Sequence, residues 1–357
     1  MSTQIRHTAA KRFALPLGFR LESGAHLPGV EVAYRTWGRL SEAADNAVVV
    51  CHPLTEDAQA DRWWRGLLGP GLALDPRHDY IVCSNVLGGC HGTTGPIALR
   101  PGAGRPYGPD FPAVSVRDLV RLQIRLLDAL GVRFIRLVIG PELGGQQALE
   151  WAFLDPVRVG ALAVIAASGR QSAWGIGWHE AQRQAIYSDP GWRRGRFARG
   201  QEPVSGLGVA RMIAQCGQRS PENFASRFGR QCSEHGLFDV EHFLHRKSRQ
   251  FVSEFDANSF VALTLTMDSH DVAAGRGAYH STLRSLGIPA LVVGFSSDLL
   301  CPLSELEELA GYLPRATFAR LDSPCGNEAF LLEPQALNSE VAAFRAGLER
   351  PRQAAEW

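Results

Sequence analysis

A short apolar run, residues 134–139 (FIRLVI), leads directly into Gly140-Pro141-Glu142-Leu143-Gly144-Gly145 and then into the helical pattern QQALEWA at 146–152. That order, strand then small-residue turn then helix, is the context of a nucleophile elbow. In G-x-S-x-G the small residues permit a sharp turn that presents the middle side chain above the sheet edge, beside backbone N–H donors. Here the middle residue is Glu142. A carboxylate in this position can serve as a nucleophile, or it can occupy the oxyanion hole itself, accepting N–H bonds and the helix-dipole field. A Cys–His pair is another legitimate nucleophile arrangement. Cys51-His52, Cys90-His91 and Cys325 are the residues to consider for it, with His179 and His270 as isolated histidines that are more often structural.

These groups must be positioned by a sheet. Residues 47–51 (AVVVC), 80–84 (YIVCS), 134–139 and 162–167 (LAVIAA) are short, apolar and β-branched, the pattern of buried parallel strands. Residues 116–130 (VRDLVRLQIRLLDAL) place apolar side chains three and four apart and stop at Gly131, which predicts a helix. Strand and helix alternate, so the core is expected to be a βαβ parallel sheet. From residue 171 to about 287 the chain turns rich in Arg, Gln, Ser and Trp and carries amphipathic helical stretches, which reads as a helical lid inserted over the sheet. Sheet character returns at 289–295 (PALVVGF) and 317–321 (TFARL), each followed by a helical pattern, at 303–312 and 334–348. The expected organisation is a core of residues 1–170 and 288–357 interrupted by a lid at 171–287.

The chain has 357 residues, 45% hydrophobic and 20% charged, enough to bury a large core. Lys+Arg 37 against Asp+Glu 36 leaves a net charge of +1, which offers nucleic acid no basic surface. There is no apolar run of the roughly 20 residues that a membrane span needs, and the polar start lacks the apolar core of a signal peptide, so a cytoplasmic location is expected. The seven cysteines are scattered with no CxxC pair, so neither a disulfide framework nor a metal site is expected.

The segment GPELGGQQALEWA resembles the elbow of homoserine O-acetyltransferases. Cys51-His52-Pro53-Leu54-Thr55, the run 85–96 (NVLGGCHGTTGP), Ser226-Arg227-Phe228-Gly229-Arg230 and Phe255-Asp256-Ala257-Asn258-Ser259 resemble that family's stretches in the same order, from about Phe19 to Leu348. The resemblance implies an α/β-hydrolase fold, a mostly parallel sheet flanked by helices with an inserted helical lid. It also implies a homodimer contact through the lid, and an enzyme that moves acetyl from acetyl-CoA to homoserine through a serine ester in methionine synthesis. It places the triad acid at Asp298. It implies a serine where Glu142 stands, a histidine where Asn327 stands in Gly326-Asn327-Glu328, and a glycine where Glu56 follows Leu54-Thr55 in the oxyanion-hole loop. Arg227 or Arg230 is the expected carboxylate binder for an amino-acid substrate, with Leu54, Glu56 and Glu328 beside it.

Asn327 accepts no proton near neutral pH, so that position holds no general base. Attack by Glu142 on a thioester would give a mixed anhydride, from an atom carried further out than a serine oxygen. Two readings stand. In the first the chain is a noncatalytic binding or regulatory homologue, without a cofactor, whose ligand is a small molecule such as an amino acid or acyl-CoA. In the second it is an enzyme of altered chemistry, with an acyl-CoA as cosubstrate, using Glu142, Glu56 or Asp298. Such an acidic pocket needs arginines, a bound amine or metal, or protonation to be stable.

Overall fold

The structure, a computed structural model, describes residues 9–232 and 236–348. Its strands are β1 (Lys11–Leu15), β2 (Phe19–Arg20), β3 (His26–Leu27), β4 (Val30–Trp37), β5 (Ala47–Val50), β6 (Tyr80–Ser84), β7 (Ile135–Pro141), β8 (Leu162–Ile165), β9 (Ala290–Phe295) and β10 (Ala316–Leu321). All but β2 and β3, which pair with each other, form one eight-stranded sheet in the order β1-β4-β6-β5-β7-β8-β9-β10. From β6 to β10 neighbouring strands are parallel, while β4 runs antiparallel to both β1 and β6. This is the α/β-hydrolase arrangement expected from the sequence.

The central strands β5, β8 and β9 are buried at every residue, because helices cover both faces of a parallel sheet. The strand period of two divides the core accordingly. Val49 and Val138 point into a layer with Leu119 and Trp151, whereas Val48 and Leu137 point into a layer with Trp64 and Phe330. The helices of the core are α1 (Ala60–Trp63), α2 (Val116–Ala129) and α3 (Leu143–Leu154). Helix α2 begins at a capping box between Ser115 and Asp118 and ends before Gly131, whose φ of 75° suits a residue without a Cβ.

Between β8 and β9 the chain forms α4 (Ala173–Tyr187), α5 (Val204–Gln218), α6 (Pro221–Phe228), α7 (Asp239–Glu254), α8 (Ala257–Asp268) and α9 (Tyr279–Arg284). Helix α5 packs on α4 and α7, and α4 also touches α8. The chain then returns to the sheet with α10 (Leu303–Tyr312), α11 (Ala329–Leu332) and α12 (Pro334–Gly347). Among the described residues no helix is long and apolar enough to cross a membrane.

Candidate active site

Glu142 stands between β7 and α3 with φ 50° and ψ −119°, a left-handed conformation that a residue with a side chain adopts at a cost of about 1–3 kcal/mol. The turn is held from both sides. The Glu142 N–H donates to the Ile165 carbonyl at 3.0 Å, and the N–H groups of Gly145 and Gln146 donate to the Glu142 carbonyl at 2.9 and 3.1 Å. Its glycines are a steric necessity: a Cβ on Gly144 would lie 2.0 Å from the Cys51 carbonyl oxygen, and one on Gly140 would lie 2.5 Å from the same atom. The turn therefore lifts Glu142 to the base of a cavity between the sheet and α4, α5 and α8. Leu143, the first residue of α3, has no intrahelical acceptor for its N–H, and Leu54 reaches the same cavity from the loop after β5.

Asp298 follows β9 and is 6% exposed. Its Oδ1 accepts the N–H groups of Leu300 and Cys301 at 2.8 and 3.0 Å, and its Oδ2 accepts from Asn327 Nδ2 at 2.9 Å. Burial outweighs these three bonds and pushes the Asp298 carboxyl up to about 6. Asn327 lines the cavity from the short turn Gly326–Glu328. Because a carboxylate oxygen can only take hydrogen from the amide nitrogen, Asn327 Oδ1 faces away from Asp298. That oxygen is buried with no partner. The acid thus addresses position 327, and what it meets there is an amide.

The carboxyl of Glu142 makes no hydrogen bond and no ion pair among the described residues. Burial first, then the charge of Asp298, push it up to about 8, with Glu328 and Glu56 adding to the rise and Arg211 opposing it. Glu56 is pushed up to about 7, mainly by burial, although Arg62 lies 3.5 Å away. Glu328 is anchored by Arg219 Nη2 at 2.6 Å and by Gln215 Nε2 at 2.8 Å. Arg211 lines the cavity from the middle of α5, its guanidinium 5.1 Å from the Phe251 ring centroid.

The structure brings Leu54, Glu142 and Asn327 to one cavity and sets Asp298 behind Asn327, with Glu56 and Glu328 in the surrounding shell. It does not bring Arg227 or Arg230 there. Arg227 stacks over the rings of Phe228 and Phe243, at 5.3 and 5.2 Å, and Arg230 lies over Phe238 at 5.7 Å. Both belong to the exposed side of the α6 turn, where apolar rings hold the guanidinium stems. The cation facing Glu142 is Arg211, which no motif marked.

The alternative nucleophiles are occupied otherwise. Burial pushes the Cys51 and Cys90 thiols up to about 12, away from thiolate. His52 is spent on its neighbours, with Nδ1 2.8 Å from the Pro53 carbonyl and Nε2 accepting from Val86 N–H at 3.2 Å. Cys325 Sγ lies 3.6 Å from Asn223 and from Glu333. His270 is buried 3.5 Å from Glu150. His179 lines the cavity, its Nδ1 bound to Asp268 at 2.6 Å, and Asp268 in turn takes Arg183 at 2.6 Å.

Comparison with known proteins joins this geometry to a family. The alpha/beta hydrolase fold model matches residues 46–334. The homoserine O-acetyltransferase of Chlorobium chlorochromatii is 51% identical over 334 residues, 93% of this chain and 94% of that protein. The homoserine O-acetyltransferase of Trichormus variabilis is 50% identical over 337 residues, 94% of each. Among solved structures, the homoserine O-acetyltransferase from Bacillus anthracis superposes with a TM-score of 0.89 at 23% identity, over 99% of this chain and all of that one, which speaks to the fold.

Proposed function

The chain belongs to the homoserine O-acetyltransferase family of the α/β-hydrolase fold, and from that premise we propose that it has left acyl-enzyme chemistry and works as a ligand-binding or regulatory homologue in sulfur amino-acid metabolism. One observation carries the reading: Asp298 is hydrogen-bonded at 2.9 Å to the amide of Asn327, while the side chain at the elbow is a carboxyl without a hydrogen-bond partner. Double displacement needs a base that takes the nucleophile's proton and returns it to the leaving group. An amide does neither. A glutamate oxygen also stands two C–C bonds further from Cβ than a serine oxygen, roughly 2.5 Å along an extended side chain, and misplacement of about 1 Å costs roughly a hundredfold in rate.

The ligand in this proposal is a small molecule; the relatives' names point to an amino acid or an acyl-CoA, and the lining of this cavity narrows that choice. The working unit is a homodimer in the cytoplasm. Exposed apolar side chains on lid helices, Trp174 on α4 and Val204 and Val209 on α5, favour pairing through the lid.

A second reading is favoured by the titration behaviour of the same site. Glu142 near 8, Glu56 near 7 and Asp298 near 6 have the values of working acids and bases, and the cavity above them is open. In that reading the protein is an enzyme of altered chemistry using one of those carboxyls. A steady-state assay with acetyl-CoA and succinyl-CoA against homoserine and serine separates the two. Silence supports the binding homologue; sustained turnover abolished by Glu142→Ala supports the enzyme.

A further inference from the structure

Among the described residues the cavity lining holds several acceptors without a partner, beside the buried donor Trp178 Nε1. Among the described residues the Glu142 carboxyl has no hydrogen-bond or ion-pair partner. Asn327 is 1% exposed, and its Oδ1 is buried and unpartnered because Asp298 has claimed the amide nitrogen. Across the cavity, His179 has Nδ1 bound to Asp268 at 2.6 Å; with the proton on that nitrogen, Nε2 is an acceptor as well. Glu305 adds a further carboxyl to the lining.

Arg211 is the one arginine or lysine lining the cavity among the described residues. It faces Glu328, Glu56 and Glu142 at once. A ligand carboxylate seeking that guanidinium would enter among three carboxyls already placed around it. A ligand ammonium meets the opposite situation, with a free carboxyl and an orphaned amide oxygen to receive its N–H donors.

On the reading that Glu142 and Asn327 now bind rather than catalyse, we infer that the cavity takes a cationic amine lacking a carboxylate, its ammonium received by Glu142 and by Asn327 Oδ1. The same groups reject the corresponding amino acid. Binding is coupled to protons. Glu142, flanked by Asp298, Glu328 and Glu56 and opposed by Arg211, is held protonated at neutral pH. An ammonium beside it favours the charged form, so complex formation releases a proton to solvent.

The test is isothermal titration calorimetry of the full-length protein at neutral pH. The probes are 3-aminopropan-1-ol and butane-1,4-diamine, with L-homoserine as the amino-acid counterpart of the first. The amines are expected to bind at least roughly tenfold more tightly than L-homoserine, because only the amino acid brings a carboxylate among Glu328, Glu56 and Glu142. Their heats should vary with the ionisation enthalpy of the buffer in the sense of proton release. Glu142→Gln, which keeps the shape, should weaken the amines by a similar factor and remove the buffer dependence. L-homoserine binding as tightly as the amines, no detectable binding of either amine, or amine affinity unchanged in Glu142→Gln overturns the inference. Turnover of acetyl-CoA by the wild type is a separate outcome that overturns the reading beneath it, and the inference with it.

Discussion

The raised carboxyl at the elbow has a consequence for stability that one conservative substitution exposes. Glu142 is held at about 8 in the fold against an ordinary value of 4.5. Below 4.5 the group is protonated in both the folded and the unfolded chain and contributes nothing. Between those values the unfolded chain gives up the proton and the folded chain keeps it, so stability falls as pH rises, by about 1.4 kcal/mol for each pH unit. By pH 8 the accumulated loss approaches about 5 kcal/mol, an upper figure because Glu56 and Asp298 share the same burial. Glu142→Gln removes the titration while leaving the strained turn and the volume in place. Urea unfolding of wild type and variant at a series of values between about pH 5 and 8 should show the variant more stable, with a margin that widens steadily toward high pH. A margin independent of pH, or one that narrows, would refute the claim that Glu142 is held protonated.

Further outcomes follow from the same geometry. The pair Glu142→Ser with Asn327→His should restore measurable CoA release from acetyl-CoA, because Asp298 already points at position 327, while either change alone stays silent. Arg219→Ala strands the buried Glu328 carboxylate, whose partner is 2.6 Å away, and should lower stability by about 3–5 kcal/mol in urea unfolding. Gly144→Ala drives a methyl to within 2.0 Å of the Cys51 carbonyl, so the soluble yield and melting temperature should both drop.

Two kinds of signal made parts of the site readable in the sequence, local backbone chemistry and resemblance to a family. The elbow was legible because Gly140, Gly144 and Gly145 frame Pro141-Glu142-Leu143 in a strand-to-helix turn. Asp298 and Asn327 were legible only through the family resemblance, which places a triad acid and a histidine at those positions. The central strands were legible because burial on both faces leaves an unbroken apolar run. Strand β4 was not: it neighbours the edge strand β1 and is antiparallel, and Glu31, Arg35 and Thr36 interrupt its apolar residues. Arg211 was hidden for a different reason. It lies in the middle of α5, in the sequence GVARMIAQ, and only the packing of α5 on α4 and α7 turns it toward the cavity. Resemblance alone favoured Arg227 and Arg230, whose aromatic neighbours instead keep them on the surface of the lid. The heights of the carboxyl pKa values were likewise beyond the sequence, since they depend on residues from β5, α5, β9 and β10 loops meeting at one point.

The most direct test of the account is intact mass spectrometry of the purified protein after incubation with acetyl-CoA, read alongside CoA release in the presence and absence of homoserine. The account predicts no acetyl adduct on the chain and CoA release no faster than spontaneous hydrolysis. An acetyl adduct that forms and is discharged by homoserine would contradict it, because an acyl-enzyme route would then exist.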